Sequence, residues 1–386
     1  MKSEFTFTQK KIFIFSPEPW SNMRLSKHHY AETLAQLGNQ VFFLEPANQN
    51  GTKISLTEIN DRLQVVNYPL KAKGWGKLPG WIYRFLVQRE MNMLESKLGT
   101  PDIVWCFDPI KLVHLSTFSK AFKIYHPVDQ FDPVFLNAYK FKVDIAFSTM
   151  QKEVALLKSL GYKAYFVQHG LSAVFEPYAQ KRLQDLNVGG LPVQSETIQV
   201  GFAGNLMGDA LDRQTIQSVI EQHQDCHFRF WGKYDSGTSS GNNEKAAFIE
   251  FLQQASNVSL LGAIPTVELA RQMQDIDMFW VCWKKSDSPV WNANTNPHKI
   301  IEYLSTGVPV VSHYMHTYKD SKLIYMIHEQ DGGEEYLRLF SRVKNELRVN
   351  EFPEIKEQRI QYALDNMYIQ QVHKIASYIR GELSTE

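Results

Sequence analysis

Short apolar runs recur along this chain, each followed by a turn and then a helical pattern, and that rhythm admits few folds. It begins with KIFIFS at 11–16, a helix opening near Ser26, and QVFFL at 40–44. Strand, crossover helix and parallel strand make the βαβ unit, which stacks into a sheet covered on both faces. Further strands are predicted at 63–66, 102–107, 122–126, 143–148 and 164–168, with a helix over 151–160. A second series follows at 197–202, 227–231, 258–261, 278–281 and 310–312, with helices near 212–222, 244–254 and 266–274. Between the two series, NVGGLPVQS at 187–195 loses its periodicity and gathers glycine and proline, the composition of a connection. A chain of 386 residues exceeds one ordinary core. The expected division is therefore a first α/β domain over 1–188, a linker over 189–195, and a second over 196–350. Residues 351–386 read as amphipathic helices, with Tyr362, Met367, Ile369, Val372, Ile375 and Ile379 on an apolar face.

Composition removes several classes of function. With 44% hydrophobic and 21% charged residues and a formal net charge of zero, the chain is neither disordered nor a general nucleic-acid coat, and no nucleic-acid partner is expected. Cys106, Cys226 and Cys282 lie far apart without disulfide or zinc spacing, which suits a reducing cytoplasm. The apolar run at 12–15 is shorter than the roughly 7 to 15 residues of a signal-peptide core, and reads as the first strand. No stretch reaches the roughly 18 apolar residues of a membrane-spanning helix, so any membrane contact is expected to be peripheral.

The segment NPHKIIEYLSTGVPVV at 296–311 carries the most chemistry. Asn296 suits a helix cap, Pro297 the first helical position and Gly307 the place just past the end, and Pro309 bars continuation into a buried strand. The preceding NANTN, with Thr295, leads into an N-terminus whose free N–H groups would bind an anion. Lys299 would neutralise a diphosphate there, and Glu302 would accept from ribose hydroxyls. The plainer alternative is a capped helix with a solvated Lys299–Glu302 pair. Upstream, VGFAGN at 200–205 is a strand entering a glycine turn, which makes Gly204 and Asn205 backbone-approach candidates. Arg213 and Lys233 fall at carboxyl-end positions, as donor contacts or as exposed charges.

Taken together, NPHKIIEYLSTGVPVV, the approach NVSLLG at 257–262 with Glu268, Leu269 and Asp277, and the terminal DNMYIQQVHKIASYI closely resemble the donor half of GT-B glycosyltransferases. The resemblance is dense in the second half and looser in the first. It implies two Rossmann-like, doubly wound domains facing across a cleft, with the C-terminal helix crossing back to the first domain. It also implies a UDP-, GDP- or TDP-sugar donor. Many retaining members carry Glu eight positions before the one matching Glu302; here that position is Asn294. That departure argues against a retaining mechanism of that type.

On the acceptor side, strand FKIYH at 122–126 runs into PVDQFD at 127–132. This is similar to the xanthan glucuronosyltransferase, an inverting GT-B enzyme with a catalytic Asp at this place. The resemblance makes Asp129 the base and Asp132 the reserve; the alternative is a turn-forming Asp. His169, after strand 164–168, is read as a cleft contact or a structural histidine, while Arg24, His28 and His29 would line an acceptor pocket. The D-x-D at Asp275 and Asp277 ends a helix and opens a strand, unlike a metal-binding loop, so neither metal nor other cofactor is expected. Over 71–89, Lys71, Lys73, Lys77 and Arg84 mix with Trp75, Trp81, Tyr83 and Phe85, which suits an anionic bilayer surface or a core helix with snorkelling bases.

The expectation is an inverting, metal-independent transferase that moves a sugar to a glycan or lipid-linked hydroxyl in bacterial surface polysaccharide synthesis, in the cytoplasm, with peripheral contact on the inner face of the cytoplasmic membrane as one option. A sugar-nucleotide epimerase of the same fold and a non-catalytic sugar-nucleotide-binding partner are the alternatives.

Overall fold

A computed structural model describes residues 5–21, 24–48, 53–69, 79–108, 115–128, 143–187, 197–234, 243–284, 296–347 and 353–385. The chain divides into two compact units, Met1–Gly170 with Tyr368–Glu386, and Leu171–Met367.

The first unit is built on β1 (Lys11–Phe15), β2 (Gln40–Leu44), β3 (Ser55–Asn60), β4 (Leu63–Asn67), β5 (Ile103–Cys106), β6 (Phe122–Tyr125), β7 (Ile145–Ser148) and β8 (Ala164–Phe166). Their order across the sheet is β3-β4-β2-β1-β5-β6-β7-β8, and every pairing is parallel except β3 with β4. Strand β3, SLTEIN, is not expected from the sequence, because it is exposed along its whole length and shows no apolar run. It is an edge strand that turns into β4 through Asp61 and Arg62. Crossovers are supplied by α1 (Ser26–Gln36), α2 (Gly80–Leu98) and α3 (Gln151–Ser159). Two apolar layers flank the sheet. One holds Ile12, Ile14, Trp105, Ile124 and Phe147, and α11 (Tyr368–Thr385) closes it with Tyr368, Val372, Ile375 and Ile379.

The second unit contains β9 (Ile198–Ala203), β10 (Cys226–Trp231), β11 (Val258–Gly262), β12 (Met278–Val281), β13 (Val310–Ser312) and β14 (Tyr325–Met326), in the order β11-β10-β9-β12-β13-β14 and all parallel. Its helices are α4 (Glu176–Asn187), α5 (Arg213–Gln222), α6 (Asn243–Gln254), α7 (Thr266–Gln272), α8 (Lys299–Leu304), α9 (Gly333–Leu347) and α10 (Pro353–Asp365). Strand order reverses between β1 and β5 in one sheet and between β9 and β12 in the other. Doubly wound sheets open a ligand crevice at the carboxyl ends beside such a reversal.

The units divide the chain differently from the expected 1–188, 189–195, 196–350 and 351–386. The first unit ends at Gly170, and α4 packs on α10 inside the second. The bond from Leu171 N to Asn366 O, 2.8 Å, ties the two second-unit termini together. Of the C-terminal segment only α11 joins the first unit. Residues 189–195 lie outside the described ones.

Candidate donor site

Local chemistry brings three predicted residues together at the β9/β12 reversal. Strand β9 ends at Ala203 and turns at Gly204, where an added Cβ would collide with Lys299 Nζ. The ammonium therefore rests on the turn. It also stands 4.9 Å from the centre of the Phe202 ring and 5.9 Å from that of Trp283. No carboxylate closes a salt bridge with it among the described residues. Burial brings its pKa down to about 8, with Glu302 pulling the other way. In turn, burial pushes Glu302 up to about 7 against the pull of Lys299. Both side chains are half-buried rather than solvated.

The helix bearing them differs from the expected one. It starts at Lys299, with His298 as N-cap in helical geometry and without a side-chain cap bond, so Asn296 does not cap it and Pro297 is not its first residue. Instead Pro297 and His298 carbonyls accept from Ile300 N and Ile301 N, at 3.1 and 3.2 Å. The tighter i to i+3 turn consumes the residues assigned to the cap. Gly307 takes the left-handed conformation expected of it, φ +79°.

Tyr303 holds this helix against the sheet. Its hydroxyl accepts from Ala203 N at 2.8 Å and donates to Ala203 O at 3.2 Å, and its ring stacks on Phe279 at 4.2 Å and 8°. These bonds fix the residue just before Gly204. On the other side Gly204 N donates to Trp231 O at 2.8 Å, and an added Cβ at Gly232, φ +130°, would strike the Gly204 carbonyl. Two backbones thus touch at the carboxyl ends of β9 and β10. Only glycine permits both the approach and the dihedral.

The other donor candidates take different places. Arg213 is buried, and its Nη2 donates to Gly208 O at 2.7 Å and Leu206 O at 3.3 Å, which shapes the loop after Gly204, while its Nη1 stands 3.8 Å from Glu244. Asn205 is exposed and its Oδ1 accepts from Met207 N at 3.0 Å, closing the same turn. Lys233 is exposed, and its carbonyl accepts from Leu206 N. Asn294 and Thr295 lie outside the described residues, as do Asp129 and Asp132. Asp277 Oδ2 accepts from Gln199 N at 2.8 Å, pinning the start of β9, which gives the second Asp of the D-x-D a structural use.

In the first unit His28 is a structural residue rather than a pocket wall. Its Nδ1 accepts from Leu25 N at 3.1 Å and its Nε2 faces Pro19 O at 3.3 Å, while burial lowers its pKa to about 4. The neutral ring closes the first turn of α1. Arg24 lies over Trp20 at 4.2 Å and 3.6 Å from Glu32, whose other oxygen is 3.7 Å from His29. His29 stacks on Tyr368 at 4.8 Å. His169 Nδ1 is 3.1 Å from Ser26 Oγ, which also takes a 3.1 Å bond from the Tyr368 hydroxyl. His29 and His169 are therefore gathered around Tyr368 of α11 and Ser26 of α1.

Glu153, which no sequence motif marks, sits in the first turn of α3 beyond the carboxyl end of β7. It is 2% exposed, both oxygens lack a hydrogen-bond partner among the described residues, and burial raises its pKa to about 7. In QKEVALLKS nothing marks that glutamate as the inward one. On α2, Trp81 and Phe85 are 74% and 65% exposed one turn apart; Lys71, Lys73, Trp75 and Lys77 lie outside the described residues. No helix among the described residues is long and apolar enough to cross a membrane.

A pair of doubly wound parallel sheets, one carrying a lysine over a glycine turn at its reversal point, defines the class of architecture to which this chain belongs: the GT-B fold. Solved structures agree. The chain is similar to sucrose-phosphate synthase from Thermosynechococcus elongatus, with TM-score 0.70 and 13% identity over 98% of this chain and 100% of that one. It is similar to Anabaena HepE in complex with UDP and glucose, with TM-score 0.66 and 12% identity over 96% and 100%. It is also similar to the lipopolysaccharide outer core galactosyltransferase WaaB, with TM-score 0.64 and 12% identity over 96% and 99%. No protein-family model and no curated protein matches the sequence.

Proposed function

We propose that this chain is a glycosyltransferase that uses a UDP-sugar as donor. The observation that carries the reading is the Lys299 ammonium, held over the Gly204 turn at the β9/β12 reversal and closing no salt bridge among the described residues. A diphosphate would give that ammonium an anionic partner. HepE, whose fold the chain shares, is in complex with UDP and glucose, which favours uridine among the nucleotides.

In this reading Lys299 neutralises the leaving diphosphate, so that no metal or other cofactor is needed, and Glu302 accepts from the ribose. Asp129 takes the proton of an attacking hydroxyl, and the anomeric carbon inverts in one displacement. Asn294, where retaining relatives have Glu, supports inversion. The acceptor is a glycan or lipid-linked sugar of a bacterial surface polysaccharide, received by the first unit on the inner face of the cytoplasmic membrane. Arg24, His29 and His169 are its proposed contacts. The outward Trp81 and Phe85, with Arg84 and Arg89 on the same helix, suit a peripheral bilayer contact.

Reaction with a UDP-hexose panel and polyprenyl-linked sugars, read by NMR for the anomeric configuration of the product, tests the mechanism. Inversion and a loss of about 100-fold or more in kcat for Asp129→Asn are expected; retention, or near-normal turnover in the variant, overturns it.

A further inference from the structure

The second unit holds a cavity of about 420 Å³ beyond the carboxyl ends of β12, β13 and β14. That lies within the roughly 300–1,000 Å³ range of small-molecule pockets. Trp283 and His313 form one wall, their rings stacked at 5.0 Å and 28°. His313 is 8% exposed, and its Nε2 has no hydrogen-bond partner among the described residues. A buried polar atom in that state is costly unless something else satisfies it.

The charge of the lining is one-sided. Among the described residues of the lining, Asp212, Glu244, Glu329 and Asp331 face one ammonium, Lys284, 3.1 Å from Glu244, with the buried Arg213 guanidinium 3.8 Å from the same carboxylate. Asp212 receives Thr215 N and Oγ1 at 3.1 and 2.8 Å, and Asp331 receives His328 N at 2.8 Å. Glu329 has no hydrogen bond or ion pair among the described residues. Such walls repel phosphate and carboxylate groups. They suit a neutral polyhydroxyl, whose O–H groups donate to carboxylates and whose C–H face covers an aromatic ring. Trp283 joins this cavity to the donor site, because Lys299 Nζ stands 5.9 Å from the same indole.

We infer that this cavity takes the sugar ring of the nucleotide-sugar donor, and that its acidic lining selects an uncharged hexose against a uronic acid. The inference rests on the donor reading above. It also separates this chain from glucuronosyl transfer, the chemistry of the enzyme its acceptor-side sequence resembles.

Calorimetric titration of the full chain with UDP, UDP-glucose, UDP-galactose and UDP-glucuronate tests it. At least one neutral UDP-hexose is expected to bind about 10-fold tighter than UDP, and UDP-glucuronate about 10-fold weaker than that hexose. Gln214 is an exposed residue of the cavity lining, so Gln214→Trp is expected to erase the advantage of the UDP-hexose while leaving UDP affinity unchanged. Glu329→Gln with Asp331→Asn is expected to narrow the gap between hexose and uronate. If UDP binds but Gln214→Trp leaves the hexose advantage intact, or the uronate binds as well as the hexose, the cavity assignment is overturned and the donor reading stands. If UDP does not bind at all, the donor reading fails and this inference fails with it.

Discussion

Lys299 and Glu153 are two ionisable groups that burial has moved toward neutrality, and they make opposite predictions. The Lys299 pKa of about 8 means that the ammonium an anion needs is already thinning in mild alkali. UDP binding should raise that pKa and take up a proton near pH 8 to 9, with affinity falling up to about 10-fold per pH unit above 8. Calorimetry in buffers of different ionisation enthalpy reads the proton uptake directly. Glu153 has a folded pKa of about 7, above its ordinary 4.5, so the folded state holds the extra proton between those values. Stability from that proton is complete below 4.5, declines as pH rises through 7, and is gone above it. Glu153→Gln should therefore stabilise the chain by about 2 kcal/mol at pH 8 and by little at pH 4.5, measured by urea unfolding. At this scale the sequence exposed Lys299 and Gly204 through spacing and turn chemistry. It hid Glu153 and Trp283, because whether a residue faces inward depends on neighbours distant in the chain. Arg213 is ambiguous in sequence for the same reason: an arginine after a glycine turn has one appearance whether it meets a ligand or the loop's own carbonyls.

Among the elements, α8 shows how little of the placement of Lys299 is helical. Six residues are too few to make a strong N-terminal anion site, and the lysine is positioned chiefly by Tyr303 and the Gly204–Gly232 contact. Tyr303→Phe removes both bonds to Ala203 and leaves a buried N–H unpaired, so a cost of about 1–3 kcal/mol is expected, together with weaker UDP binding. Gly232→Ala should be worse, since a strained φ and a backbone collision combine; soluble yield and thermal melting will show it. The parallel strands are legible in the sequence because both of their faces are buried and their apolar runs are continuous, as in MFWV of β12. β3 escaped because an exposed edge needs no apolar run. Gly307 was legible from its place before Pro309, whereas the start of α8 was not, since Asn-Pro-His admits more than one first turn.

For the whole molecule, the chain visits the first unit twice. Tyr368, Val372, Ile375 and Ile379 fill its core, and Tyr368 lies so close to Gly170 that an added Cβ there would enter its ring. Truncation after Met367 should unfold the first unit while the second, which has its own core, retains UDP-dependent stabilisation; differential scanning calorimetry with and without UDP distinguishes the two. The amphipathic pattern of the last helices was readable, but not that the chain changes unit between Met367 and Tyr368. Both sides of that point are helical and apolar, and only packing partners separate them.

The proposed donor site stands or falls with Lys299 meeting the diphosphate of a uridine nucleotide. Isothermal titration of UDP into the native chain and into Lys299→Met, at pH 7.5, tests that contact. Saturable binding to the native chain and a loss of affinity of about 30-fold or more in the variant, on the order of 2 kcal/mol, are expected. No binding to the native chain, or equal binding by both proteins, would contradict the assignment.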